Sequence, residues 1–471
     1  MEALSPAARR VVTACLVAGV ALRLMLFAVN PPTNAFDDHY RPISLMLETG
    51  ELPAKDACWE CYHPPAFYVS SALVAAGAAA AGLEPLTIQK IVHFLPCLYG
   101  ICTLFALLGV LRRLGLSDFA LCVALATACF LPRHVYMSAI HSNDTIAYLG
   151  VTVCVWLTLR ALDGGLRPGA LAWLAGAMAV TVVTKYTGLV VVPVVLATFG
   201  AAWLFRLAPG RGRIAAAGAL VCVPALVTLT LFALPNVREY GRPFPSNLEL
   251  FHDEWLASGR GARDVDFFGF HPLTTIATPI LSPDNRDSLW TVLWARTFFD
   301  MEPRFLQFTD PVDAGWWDAY DRFLGGAEDE AWPGTAALGA TTLLTGSTLI
   351  SLGLLPLALL VAGLLRILFG AGRLLGPPDP ARAARLQMFP VLIAGVMAGI
   401  VLTTVKFPYT FSMKSVYVMN ALPAAVACVG LGAQLFDDRP WARRLVAGGT
   451  ALLALVCTLH VLTLFTAMAR A

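Results

Sequence analysis

Long apolar runs separated by short polar connections set the pattern of this chain from end to end. Eleven runs read as membrane-crossing helices, for which about 20 mostly apolar residues suffice: 11–29, 88–111, 119–137, 146–159, 170–183, 188–205, 214–234, 342–369, 389–405, 416–435 and 445–468. A twelfth apolar stretch, 67–83, is excluded, because counting it would put Arg112 and Arg113 on the wrong side of the membrane. It reads instead as a helix lying on, or dipping into, the membrane surface.

The arginines orient these runs. With Arg9 and Arg10 on the cytoplasmic side, alternate connections carry Arg112 and Arg113, Arg160 and Arg167, Arg206, Arg211 and Arg213, Arg373, Arg382 and Arg385, and Arg439, Arg443 and Arg444. All the short basic loops then share one face, as the positive-inside rule requires. The opposite face receives 30–90, 141–144, the turn near Lys185, about a hundred residues at 235–333, and 406–415. Most chemistry-bearing side chains collect there. The chain divides accordingly into an N-terminal transmembrane module (1–235) with its first outer loop (30–90), an outer loop region (236–333) and C-terminal helices (334–471).

Composition agrees with this class. Hydrophobic residues make up 58% of the 471, charged residues 14%, and the mean hydropathy is +0.69, a balance no water-soluble globule covers with polar surface. A net charge of +2 without any basic patch excludes a nucleic-acid partner. The first run follows Arg9 and Arg10 but exceeds a signal h-region and lacks a clean cleavage site, so it is expected to remain as a span. Nine of the cysteines stand in or beside apolar runs, where a thiol packs as a small hydrophobe. Cys58 and Cys61 sit in a polar stretch, open to a disulfide, a free pair, or a metal site with His39 or His63. No internal repeat and no nucleotide-binding glycine-rich loop is present.

Several outer segments form an ordered set: "FDDHY", "GELP" and "YHPPAFY" in the first loop, "LPRHVYMSAIHSNDTIAYL" in the second, then "TKYTGLVVVP", "NVREYGRPFP" and "FSMKSVYVMNALPA". In order and common membrane side, this set resembles the GT-C superfamily of polyprenyl-phosphate-sugar glycosyltransferases. The branch is that of the protein O-mannosyltransferases and the aminoarabinose transferases. The resemblance covers most of residues 10–425. Two departures stand out. The acidic pair is Asp37-Asp38 where the family commonly has Asp-Glu, and His63 precedes the Pro-Pro where the aminoarabinose branch has Lys.

The resemblance implies an all-α polytopic membrane protein, a GT-C-type bundle of about eleven spans, with a surface helix in its first outer loop. Glycosyl transfer to a hydroxyl needs a base, and Asp37, helped by Asp38, is the candidate. The bland alternative is that one of the pair caps a short helix marked by Ile43, Met46 and Leu47 and stopped by Gly50. Only one acid can be the cap. A lipid phosphate leaving group must meet positive charge at the interface, and Lys414 with Tyr417, Lys185, Arg133, His63 and Lys406 stand near outer span ends, where a basic side chain can also simply snorkel. Asp144 reads as an N-cap, or as a partner of Asp37 on a divalent metal like that of the oligosaccharyltransferase arm. No metal is required by the mannosyltransferase-like arm. Tyr40, Trp59, Tyr62, Tyr68, Trp255, Trp290, Trp294, Trp316 and Trp317 suit either an interfacial belt or sugar stacking. His134, His141, His252 and His271 read as loop hydrogen-bonders.

Together these readings predict an inner-membrane inverting glycosyltransferase with its active site on the extracytoplasmic face. It would move a sugar, mannose or a related hexose, from a polyprenyl-phosphate carrier to a hydroxyl on a protein, lipid or glycan. A transporter, flippase or noncatalytic binder of a lipid-linked sugar is the alternative. A transporter would bury charges at mid-membrane and pair broken spans in two related halves, and the sequence is read as offering neither.

Overall fold

The computed structural model describes residues 4–32, 38–207, 209–251, 266–285, 287–299, 316, 319–320, 333–336, 338–371, 379–407 and 413–470. Among these residues every regular element is a helix. The N-terminal part comprises α1 (Pro6–Val29), α2 (Arg41–Thr49), α3 (Ala66–Ala80), α4 (Pro85–Leu111), α5 (Asp118–Cys129), α6 (Pro132–Ser138), α7 (Asp144–Asp163), α8 (Pro168–Val182), α9 (Val191–Leu204), α10 (Arg211–Tyr240) and α11 (Asn247–Phe251). Nine helices in the described residues are long and apolar enough to cross a membrane. With the bent pair α5–α6 and the 15-residue α8, they occupy the eleven expected runs.

Two runs differ from the simple reading. The run 119–137 is broken, with α5 and α6 meeting at a 48° bend. Pro132 is the cause: it lacks an N–H for the preceding turn and holds Leu131 extended, so the helix stops at Cys129 and restarts at Pro132. The run 170–183 forms only four turns, then passes through an extended Lys185 into a 3-10 turn, Tyr186–Val190, before α9. Both departures bring polar residues to one end of the bundle. The excluded stretch is α3, also 15 residues, which packs on α2 and α4, buries Phe67, Tyr68, Ser71 and Ala75 and leaves Leu73 exposed.

The bundle is built around Leu422–Ala433, where all but one residue is buried. Its approach to Leu354–Ala371 is close enough to require glycine. A Cβ on Gly432 would fall 2.0 Å from the Leu359 carbonyl oxygen, and one on Gly363 would fall 1.9 Å from that of Cys428. Small residues at backbone contacts are how helices pack where the surrounding lipid is as apolar as the side chains. Trp173, Leu231, Leu402 and Leu445 face outward, as a lipid-facing surface requires.

The helix ends sort by chemistry. At one end Asp163 binds both Arg113 (2.8 Å) and Arg385 (2.6 Å), Asp118 accepts from the Ser5 N–H, and Ser117 donates to Asp437. These partners come from five of the arginine-rich connections and their borders. At the other end lie the first loop, the Ser142–Asp144 turn, Lys185, Lys406 and Ser415. One expectation fails. The first span does carry a buried charge, Arg23, whose guanidinium donates to the Gly19 carbonyl (2.6 Å), the Cys129 carbonyl (3.1 Å) and His134 Nδ1 (2.6 Å). It joins α1 to the α5–α6 break, where the kink frees a carbonyl to receive it, and His134 is thereby a partner of a span rather than a loop residue.

Candidate active site

The first outer loop is held from two directions. Asp38 Oδ1 accepts from the N–H groups of Tyr40 and Arg41, both at 3.2 Å, so it is this acid that serves the start of α2. The helix ends where expected, at Gly50, whose φ of 74° lets its N–H reach the Met46 carbonyl. Asp37 lies outside the described residues. Next to Asp38, buried His39 sets Nδ1 2.8 Å from the Tyr68 hydroxyl and 3.7 Å from Glu60 Oε2. The same carboxylate oxygen is 3.0 Å from His63 Nε2. Cys58 and Cys61 are joined in a disulfide that brackets Glu60 and fixes the carboxylate between the two imidazoles.

This loop is docked on α10. The Lys55 N–H donates to the Tyr240 hydroxyl (3.1 Å), its ammonium donates to the His63 carbonyl (2.9 Å) and lies 4.7 Å from the Phe232 ring centre. Burial pushes the Lys55 pKa down to about 8. The Tyr186 hydroxyl donates to the Tyr62 carbonyl (2.9 Å), which ties the loop to the turn after α8 as well.

A second cluster adjoins it through Asn143, whose side-chain amide donates to the Tyr68 hydroxyl at 3.4 Å. Asp144 is the first helical residue of α7 and not its cap, a place taken by Asn143. Its Oδ1 is 2.6 Å from Lys185 Nζ and its Oδ2 accepts from the Ser142 hydroxyl at 2.7 Å. Both members of the ion pair have side chains only 7% exposed. The extended Lys185 between α8 and the 3-10 turn is what aims its side chain back at α7. The ammonium also lies 5.9 Å from the ring centre of Tyr417. The Tyr148 hydroxyl donates to the Val416 carbonyl (2.8 Å), locking α7 to the same segment.

The remaining expected cations are distributed around these clusters. Arg133 Nε donates to the Ser415 hydroxyl (2.7 Å), which in turn donates to the Arg296 carbonyl (3.1 Å), while Arg296 donates to the Met413 carbonyl (3.0 Å). Lys414 sits at the start of the short helix Ser415–Val418, partly exposed. Asp144, Lys185, Tyr417, Arg133 and Lys414 therefore share one end of the bundle, and His63 faces Glu60 beside them. Lys406, at the end of Met388–Lys406, binds Glu249. Sequence reasoning missed Glu60, Glu249 and Arg296. Glu60 stood inside a motif already noticed, and Arg296, a lone charge in "WARTF", carried the usual signal of a buried ion.

The aromatics split. Trp59 packs against Phe251 with ring centres 5.8 Å apart, and Tyr62 against His63 at 3.9 Å. Tyr40 packs at 6.2 Å from His141. Trp294 and Trp316 belong to the hydrophobic core, Trp290 packs against it, and Trp255 and Trp317 lie outside the described residues, as does His252. His141 is buried between Phe67, Tyr40 and His93, and burial, with the nearby His39 and His93, pushes its pKa well below the ordinary imidazole value. His271 uses its backbone, donating to the Thr291 hydroxyl and accepting from Thr274 and Thr275.

Among the described residues no three His, Cys, Asp or Glu side chains are arranged to hold an ion. Both oxygens of Asp144 are taken, by Lys185 and Ser142, so a metal there would have to displace the lysine.

No protein-family model matches the sequence, and no curated protein matches it. Solved structures do. The oligosaccharyltransferase of Archaeoglobus fulgidus, in a complex with zinc and sulfate, aligns over 94% of this chain at 14% identity with a TM-score of 0.51. The same organism's AglB, with an inhibitory peptide and a dolichol-phosphate, aligns over 98% at 14% identity and a TM-score of 0.52. ArnT from Cupriavidus metallidurans in its apo state aligns over 89% at 17% identity, but with a TM-score of 0.39 that supports no inference. This chain spans only 53% and 55% of the two archaeal chains, and 77% of the third. The helical bundle that positions the polar end thus shares its fold with the archaeal oligosaccharyltransferase.

Proposed function

We propose that the chain is an inverting glycosyltransferase that moves a sugar from a polyprenyl-phosphate carrier to an acceptor hydroxyl on the extracytoplasmic face of the inner membrane. The observation that carries this reading is the convergence at one bundle end. There the turn bearing the acid pair, the Asp144–Lys185 pair and the Lys414–Tyr417 segment are bonded to one another's neighbours on a GT-C fold. The opposite end gathers the arginines, which supports assigning it to the cytoplasm.

In this reading the two acids divide their labour. Asp38 is spent on the first N–H groups of α2, which leaves Asp37 as the base. It takes the acceptor proton while the hydroxyl oxygen bonds to the anomeric carbon from the side opposite the phosphate. The C–O bond to phosphate breaks with its electron pair going to the phosphate oxygen, and one displacement inverts the anomeric centre. Lys414 and Arg133 stabilise the departing phosphate. Lys185, already neutralised by Asp144, orients Tyr417 and shares its charge. His63, turned to Glu60, helps to set the acid-bearing turn. The sugar is mannose or a related hexose, and the acceptor a protein, lipid or glycan.

Membranes holding the wild type, supplied with a panel of radiolabelled polyprenyl-phosphate sugars, test this. One donor is expected to be consumed, with its label in a product of inverted configuration. A donor retained but never consumed would make the chain a binder, and one moved unchanged across the membrane would make it a flippase.

A further inference from the structure

Glu249 lies at the edge of the site above, on the short helix α11 beyond the end of α10. Its carboxylate is 4% exposed and has four donors. Oε1 takes Arg242 Nη1 at 2.6 Å and also the ammonium of Lys406, and Oε2 accepts from the Ser246 N–H (3.0 Å) and hydroxyl (2.9 Å). The two cations are about half exposed, 49% for Arg242 and 55% for Lys406, so the carboxylate is the inner member and the cations remain reachable from outside. Burial would push the Glu249 pKa up, but the bonds from Lys406 and Ser246 outweigh it and hold the group ionised.

Among the described residues two cations meet this one carboxylate. A guanidinium, an ammonium, a backbone N–H and a hydroxyl converging on one anion form the donor set that a tetrahedral phosphate takes. A lipid phosphate would use the donors more fully than a planar carboxylate with two acceptor atoms. The setting fits as well. Lys406 ends a membrane-crossing helix, where a headgroup lies, and Phe251, two residues past Glu249, packs on Trp59 of the first loop.

We infer that Lys406, Arg242 and Ser246 form a binding site for a phosphate group carried at the membrane surface, which Glu249 fills in the ligand-free chain. An arriving phosphate exchanges with the Glu249 carboxylate, no bond to either being covalent, and α11 is then free to move off the first loop. The inference rests on the membrane placement proposed above but not on sugar transfer, so it stands or falls on binding alone.

Purified wild type, Glu249→Gln and the double variant Glu249→Gln/Lys406→Gln are to be compared by native mass spectrometry. Each is exchanged into mixtures of anionic phosphatidylglycerol and zwitterionic phosphatidylcholine, with and without inorganic phosphate. Removing the built-in anion while keeping its shape is expected to raise retention of phosphatidylglycerol about tenfold, the scale of one charge-assisted contact, and the double variant is expected to lose that gain. If inorganic phosphate stabilises Glu249→Gln equally and displaces the lipid, the site takes phosphate as such, and a free ion is a sufficient source. If Glu249→Gln folds like the wild type and retains no more of either ligand, the cluster is only a structural ion pair and the inference is wrong. Should Glu249→Gln fail to fold, Glu249→Asp, which withdraws the carboxylate by one methylene, is read in the same way.

Discussion

Asp144 and Lys185 show how much a single pair can carry at the residue scale. Buried together and bonded at 2.6 Å, they cannot be separated cheaply. Removing one partner strands the other in a medium that solvates charge poorly, at a cost of about 3–5 kcal/mol. Asp144→Asn and Lys185→Met are each expected to lower thermal stability on that scale, and the double variant to recover much of the loss, as a coupled pair does. Additive losses in the double variant would show that the two groups act independently. The pair was half legible in the sequence. Both residues stood out as polar positions at span ends, but 41 residues and two turns separate them, and nothing local in either segment names its partner. Glu60 and Glu249 were missed for the same reason, since their roles are set by residues brought from elsewhere in the fold.

The elements were the most readable part, because apolar length is itself the physical requirement for crossing a bilayer. Where runs and helices disagree, one residue or turn is responsible: Pro132 breaks α5 from α6, and the extended Lys185 ends the α8 segment early. The CWEC loop shows the opposite case, a short element whose purpose emerges only in three dimensions. Its disulfide closes a small ring that holds Glu60 between His39 and His63, next to the acid-bearing turn. Cys58→Ser is expected to cost about 2 kcal/mol from the loss of chain constraint. It should also speed hydrogen exchange at the start of α2, where Asp38 accepts from the Tyr40 and Arg41 N–H groups. Unchanged exchange there, despite loss of the disulfide, would mean that the loop does not brace the acids.

At the scale of the whole molecule the account rests on a sorting of ends. Arginines that alternate along the sequence meet on shared acids such as Asp163, and the acid-bearing loop, Lys185, Lys406 and Ser415 meet at the opposite end. In the proposed reading, such a division would set the acids and cations at one membrane face, where a carrier lipid and an acceptor could both arrive. Fold alone does not choose among glycosyl transfer, lipid binding and transport. The choice lies with Asp37, whose neighbour Asp38 is occupied. The decisive measurement is single-turnover transfer from the donor lipid, compared for the wild type, Asp37→Asn and Asp38→Asn at equal amounts of folded protein. The account predicts a fall of about 10²–10⁴-fold for Asp37→Asn with lipid binding retained, the usual loss when a positioned base is removed, and a much smaller effect for Asp38→Asn. Transfer by Asp37→Asn at the wild-type rate would contradict it.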